Sequence, residues 1–155
     1  MQGTNIIEYL NTFNHGLNNI DEDIMISYDF QAGTYIKLYR EDSESIRKFC
    51  RKIADEILKL GNFNSLLEVG VGEGTTLMPV LSMLNQQPEK CFGFDISWSR
   101  IKYANIFAKE FNMSNVELFT GDLFCSPIKD NSIDVVYTCH SIEPNGGKEK
   151  DALIE

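Results

Sequence analysis

Residues 66–77 read LLEVGVGEGTTL. The apolar run Leu66, Leu67, Val69 is interrupted by glycines at every second position, Gly70, Gly72 and Gly74, and Thr75 and Thr76 then open a helix-compatible segment. The pattern predicts a strand, a tight turn and a helix. Glycine suits the turn because the chain must reverse within a few residues, enter positive φ, and leave bare backbone for a ligand to approach.

The turn also carries charge. Dinucleotide-binding turns place a pyrophosphate over the helix N-terminus and usually read G-x-G-x-x-G. Here the spacing is G-x-G-x-G, with Glu68 and Glu73 alongside. A like-charge pair at about 4 Å costs on the order of 4 kcal/mol at an effective dielectric of about 20, more than a few amide hydrogen bonds return. That argues against a phosphate, and hence against a nucleotide-sugar or dinucleotide enzyme. A ligand bearing an ammonium or sulfonium would gain instead.

Outward from the turn, residues 43–60 (SESIRKFCRKIADEILKL) carry one apolar stripe through Ile46, Phe49, Cys50, Ile53, Ala54, Ile57 and Leu58. They predict a helix capped by Ser43 and ended by Gly61, with Arg47, Lys48, Arg51, Lys52, Asp55 and Glu56 on a solvated face. Strands are expected at 65–69, 91–95, 116–119 and 133–139. Helices are expected at 75–86 despite Pro79, and at 98–111 with Ser97 as cap and Ile101, Ala104, Phe107, Ala108 and Phe111 inward. Alternating strands and helices imply parallel pairing with right-handed crossovers. Residues 4–14 read as a short amphipathic helix and 21–40 as an irregular arm with room for one short helix. The organisation is therefore an N-terminal helix and arm over 1–40 and an α/β domain over 41–155.

Three motifs in order, E-x-G-x-G-x-G at 68–74, Asp95 closing CFGFDIS, and GDLFCSPIKDNSIDVVYT at 121–138, resemble the first four strands of class I S-adenosylmethionine-dependent methyltransferases. The resemblance spans roughly residues 63–147. It implies a Rossmann-like open parallel sheet with flanking helices and strand order 3-2-1-4. The chain looks like the front portion of a domain whose sheet has seven strands in the family. It also implies S-adenosylmethionine as cofactor and S-adenosylhomocysteine as product. By this likeness the backbone around Gly70 and Gly72 approaches the methionine portion, Gly74 completes the cofactor-binding glycines, and Glu68 helps orient the ammonium directly or through water. Asp95 takes the ribose hydroxyls, Ile96 packs on adenine, Asp122 takes the adenine amino group, and Leu123 offers its N–H to the ring.

Tyr28, Phe30 and Tyr35 are candidates to close over the cofactor or to anchor the arm to the core. For Asp95 and Asp122 the structural alternative is capping of helices and turns. His140, in CHSIEPNGG, is a candidate general base for a hydroxyl or amine acceptor. Its alternative is a loop histidine bonded to Glu143.

The composition bounds the rest. A chain of 155 residues with 43% hydrophobic and 24% charged residues can bury one core. A net charge of −9 disfavours nucleic acid and anionic membrane. With no basic leader and no long apolar run, a cytoplasmic location is expected. Cys50, Cys91, Cys125 and Cys139 lack C-x-x-C spacing and read as reduced thiols; with only His15 and His140 available, no metal site is expected. In the order 3-2-1-4 the fourth strand is an open edge, which needs a cover from a second copy in a homodimer, from the arm, or from swapped elements. The leading function is methyl transfer to a small-molecule acceptor. The alternative is a truncated, non-catalytic module that binds cofactor or serves assembly.

Overall fold

The computed structural model describes residues 21–142, so the helix expected at 4–14 and everything from Glu143 onward lie outside the described residues. Four parallel strands, β1 (Ser65–Val69), β2 (Lys90–Asp95), β3 (Val116–Thr120) and β4 (Val135–Thr138), lie in the order β3-β2-β1-β4. Leu67 stands beside Phe92 on one side and Val136 on the other. The expected order is the observed one. The expected fourth strand, 133–139, is shorter at both ends.

β1 is buried throughout, as a central parallel strand must be when both faces are covered. On one face Leu66, Cys91 and Val135 join the helices in the main core; on the other, Leu67, Val69 and Phe94 pack with Leu123, Ile128 and Ile133 of the segment between β3 and β4. That segment must pass from one side of β1 to the other, so the chain reverses its progress across the sheet and leaves a crevice beyond the carboxyl ends of β1 and β4.

Residues 21–40, expected as an irregular arm with room for one short helix, instead contribute to two helices, α1 (Asp21–Gln31) and α2 (Thr34–Glu41), separated at Gly33, whose φ is 94°. Helix α1 lacks an apolar period, whereas α2 buries Ile36 and Tyr39 on one face, and distant polar groups hold both. Asp29 accepts hydrogen bonds from the Ser97 hydroxyl and the Ser99 N–H. The Glu73 carboxylate, buried at 2% exposure, accepts from the N–H groups of Gly33 (2.9 Å) and Ile36 (2.8 Å). Glu73 thus caps α2 from 40 residues away.

Helix α3 (Ser43–Leu58) is capped by Asp42, whose carboxylate accepts from the Ser45 N–H at 3.1 Å, and not by Ser43 as expected. Asp42 also closes α2 through its own N–H to Leu38. One residue therefore ends one helix and begins the next. Helix α4 is only Leu77–Leu81, much shorter than expected. Beyond it the chain tightens into bonds from Met83 to Val80 and from Leu84 to Leu81, and the Gln87 amide takes the Leu81 carbonyl. Helix α5 (Trp98–Glu110) begins at Ser97, whose hydroxyl accepts from the Arg100 N–H at 3.1 Å, as expected.

Glu73→Ala orphans two N–H groups and should lower unfolding free energy by about 2 to 4 kcal/mol in urea titrations. Proteolysis near Ala32 and Gly33 should accelerate with it. Unchanged stability and unchanged cleavage would show that α2 does not depend on Glu73.

Candidate cofactor site

The site is assembled at the carboxyl ends of β1, β2 and β3, and Asp95 joins its parts. One carboxylate oxygen accepts from the Gly72 N–H (2.9 Å), the other from the Ser97 N–H (2.9 Å), and the Asp95 carbonyl accepts from the Gly121 N–H (3.0 Å). The glycine turn is further tied by the Val71 N–H to the Phe94 carbonyl at 2.9 Å. Burial pushes the Asp95 carboxyl upward from its ordinary range, opposed by these N–H bonds and by the nearby Arg100 cation.

Two clefts adjoin there. The smaller, of about 470 Å³, is walled by Phe94, Ile96, Leu123 and Phe124, with Asp95 and Asp122 among its polar residues. The larger, of about 620 Å³, is lined by the turn at Gly70–Glu73, by Glu68 and Arg100, and by His140. Tyr28, Gly70, Asp95 and Ser141 belong to both. An apolar slot with a carboxylate, continuous with a polar chamber under bare backbone, matches a ligand with a flat heteroaromatic end and a charged tail.

The sequence-derived residues are therefore largely brought together. Gly70, Gly72 and Gly74 all have positive φ, of 70°, 55° and 75°. Gly70 faces the loop after β4 so closely that a Cβ there would lie 2.2 Å from that of Ser141. Gly74 is the exception, packed against Met78 and Ala104 and absent from both linings. Asp122 lines the smaller cleft and also accepts from the Phe124 N–H at 2.9 Å, so capping and site placement coexist. Of the arm aromatics, Tyr28 and Tyr35 reach the clefts, whereas Phe30 is 73% exposed. His140 is exposed, has φ 57°, and stacks on Phe49 of α3 at 6.0 Å between ring centroids.

The electrostatics differ from the sequence expectation of a purely negative cradle. Glu73 is committed to α2. Glu68, 1% exposed, accepts from the Tyr137 hydroxyl at 3.1 Å, and burial pushes its carboxyl up to about 8. A cation, Arg100, is buried in the same chamber at 7% exposure, its guanidinium 4.2 Å from the ring centre of Tyr28 and 5.0 Å from that of Tyr35. Sequence reasoning passed over Arg100. A lone arginine next to the inward positions Ile101 and Ala104 was the available signal.

Sheet order, glycine turn and strand-end carboxylates define a Rossmann-like nucleoside-binding architecture. Residues 66–154 match the methyltransferase domain family, and the chain belongs to that family. Among solved structures, the chain is similar to a putative methyltransferase from Haloferax volcanii, solved in complex with the Trm112 methyltransferase activator. The TM-score is 0.59 at 18% identity, over 81% of this chain and 52% of that one. A putative S-adenosylmethionine-dependent methyltransferase from Methanococcus maripaludis gives a TM-score of 0.58 at 21% identity, over 69% of this chain and 49% of that one. Magnesium protoporphyrin IX methyltransferase from Synechocystis, with bound S-adenosylhomocysteine, gives 0.55 at 16% identity, over 76% of this chain and 58% of that one. The chain thus spans about half the length of these solved proteins.

The buried Glu68 makes stability depend on pH. Its folded pKa, about 8, lies above the ordinary 4.5, so the native state holds the extra proton between those values. The contribution, on the order of 5 kcal/mol, is complete below about pH 4.5 and is lost as pH rises through about 8. Glu68→Gln, which mimics the protonated form, should match wild type near pH 5 and exceed it above pH 8 in denaturant titrations. Parallel pH profiles for the two proteins would refute the assignment.

Proposed function

We propose that this chain binds S-adenosylmethionine and supports transfer of its methyl group to a small-molecule acceptor, with S-adenosylhomocysteine as product. The observation that carries this reading is the convergence of the glycine turn, Asp95 and Asp122 on two adjoining clefts, in a chain of the methyltransferase domain family. The bound cofactor supplies an electrophilic methyl on a sulfonium. The chain itself has to orient, enclose and exclude water, so few catalytic groups are required.

In this reading Ile96 and Leu123 flank the adenine and Asp122 accepts from its amino group. Asp95 keeps spare acceptor capacity for the ribose hydroxyls, since each of its oxygens takes one protein N–H and a carboxylate offers about four acceptor sites. Gly70 and Gly72 give bare backbone to the amino-acid tail, Gly74 seats the turn on α5, and Glu68 reaches the ammonium directly or through water. Tyr28 closes the junction of the two clefts. His140, at the lip, is the group that would take a proton from a hydroxyl or amine acceptor.

Cys50 and Cys91 are buried and in no disulfide, and burial pushes their thiols up to about 11, which suits a reducing cytoplasm. Among the described residues β4 pairs only with β1 and leaves Val136 57% exposed; a second copy is the cover this reading assigns to that edge.

Calorimetry should show S-adenosylmethionine and S-adenosylhomocysteine binding and NAD failing to bind. Asp122→Asn, which keeps a turn-forming side chain, should weaken both by about tenfold through loss of a charged acceptor. Binding of NAD in preference, or an Asp122→Asn protein with unaltered affinity, would contradict the placement. For the edge, sedimentation should give a dimer that Val136→Lys dissociates; a wild-type monomer at tens of micromolar would remove the second copy.

A further inference from the structure

Arg100 is the one buried cation of the larger cleft, and its surroundings do not satisfy it. Among the described residues its Nε and Nη2 are buried without a hydrogen-bond partner, and it forms no ion pair. The guanidinium carbon lies over the rings of Tyr28 and Tyr35. Ring faces attract the charge yet leave the in-plane N–H donors unused. Nη1 lies beside the glycine turn, 3.7 Å from where a Cβ on Gly72 would stand. The neighbouring carboxylates have other work: Asp95 holds Gly72 and Ser97, and Glu73 holds Gly33 and Ile36.

A buried guanidinium with idle donors is costly unless an anion completes it. We propose that Arg100 is a specificity-determining residue that receives the carboxylate of the amino-acid tail of the bound cofactor, so that the site demands a ligand with that carboxylate. This rests on the S-adenosylmethionine reading above. Asp95, the carboxylate that feels the Arg100 charge, makes the selection sharp, because an anion is admitted beside it only where Arg100 compensates. A planar fork suits a two-oxygen acceptor better than an ammonium does.

The test compares S-adenosylhomocysteine with its decarboxylated analogue, S-adenosyl-3-thiopropylamine, which keeps the ammonium. Calorimetry on the wild-type chain should give the homocysteine compound an advantage of about tenfold to a hundredfold. Arg100→Met should bring the ratio to about threefold or less by weakening that compound alone, and Arg100→Lys should restore part of it. A purely structural Arg100 would weaken both ligands equally. Equal weakening in either variant, or a wild-type ratio near one, overturns the proposal. Should Arg100→Met fail to fold, the wild-type ratio and Arg100→Lys still decide. Failure of both compounds to bind wild type would instead overturn the cofactor reading on which the proposal stands.

Discussion

Asp95 is the constraint on which the site depends. Its side chain holds the glycine turn through Gly72 and the start of α5 through Ser97, while its carbonyl holds Gly121 at the exit of β3. Charge-assisted bonds to backbone N–H groups are stronger than neutral ones, so one residue fixes the spacing of three loops from three strand ends. A ligand meeting these loops meets them already spaced. Pre-organisation of that kind reduces the ordering cost of binding.

The same economy joins the arm to the turn. Glu73 lies in the glycine turn by sequence and in the α2 cap by contact, and Asp29 of α1 reaches the first turn of α5. Helices α1 and α2 are consequently anchored to the segments that contact the clefts, with Tyr28 and Tyr35 carried between them. Displacing the arm would uncover Arg100 and free the Glu73 carboxylate together. Arm position and the charge balance of the chamber are therefore linked through buried groups, where screening by water is weakest.

Much of the fold was legible because it is written in local periodicity. The apolar run before Gly70, the stripe of α3 and the Ser97 cap each announce their element, and alternation of strand and helix as far as β3 leaves few topologies. What sequence concealed were effects of distance. Helix α1 has no apolar face to read, since Asp29 and Ser27 are held by polar contacts; α2 owes its cap to a glutamate 40 residues on. Helix α4 stops early, in tightened bonds from Met83 to Val80 and from Leu84 to Leu81, with the Gln87 amide also on the Leu81 carbonyl. In the site, Asp95 and Asp122 could be located because strand ends are predictable, whereas the roles of Glu73 and Arg100 depended on which backbone and which rings they would meet.

The two sides of the crevice differ in how they are built, and in the function proposed above that difference separates a donor side from an acceptor side. The donor side is made of backbone: N–H groups of the turn, strand-end carboxylates with fixed partners, and apolar walls from the sheet. The side facing β4 is made of side chains at the surface, with His140 held at positive φ and stacked on the half-exposed Phe49. An in-line displacement at a sulfonium asks the protein for alignment and a dry pocket more than for acids and bases. In the function proposed above, selection of the acceptor falls to the contour presented by His140 and Ser141, with Phe49 stacked behind His140. These residues lie at the lip, where substitution costs the core least. A donor half dictated by hydrogen bonding and an acceptor half governed by surface contour is the division that this chemistry permits.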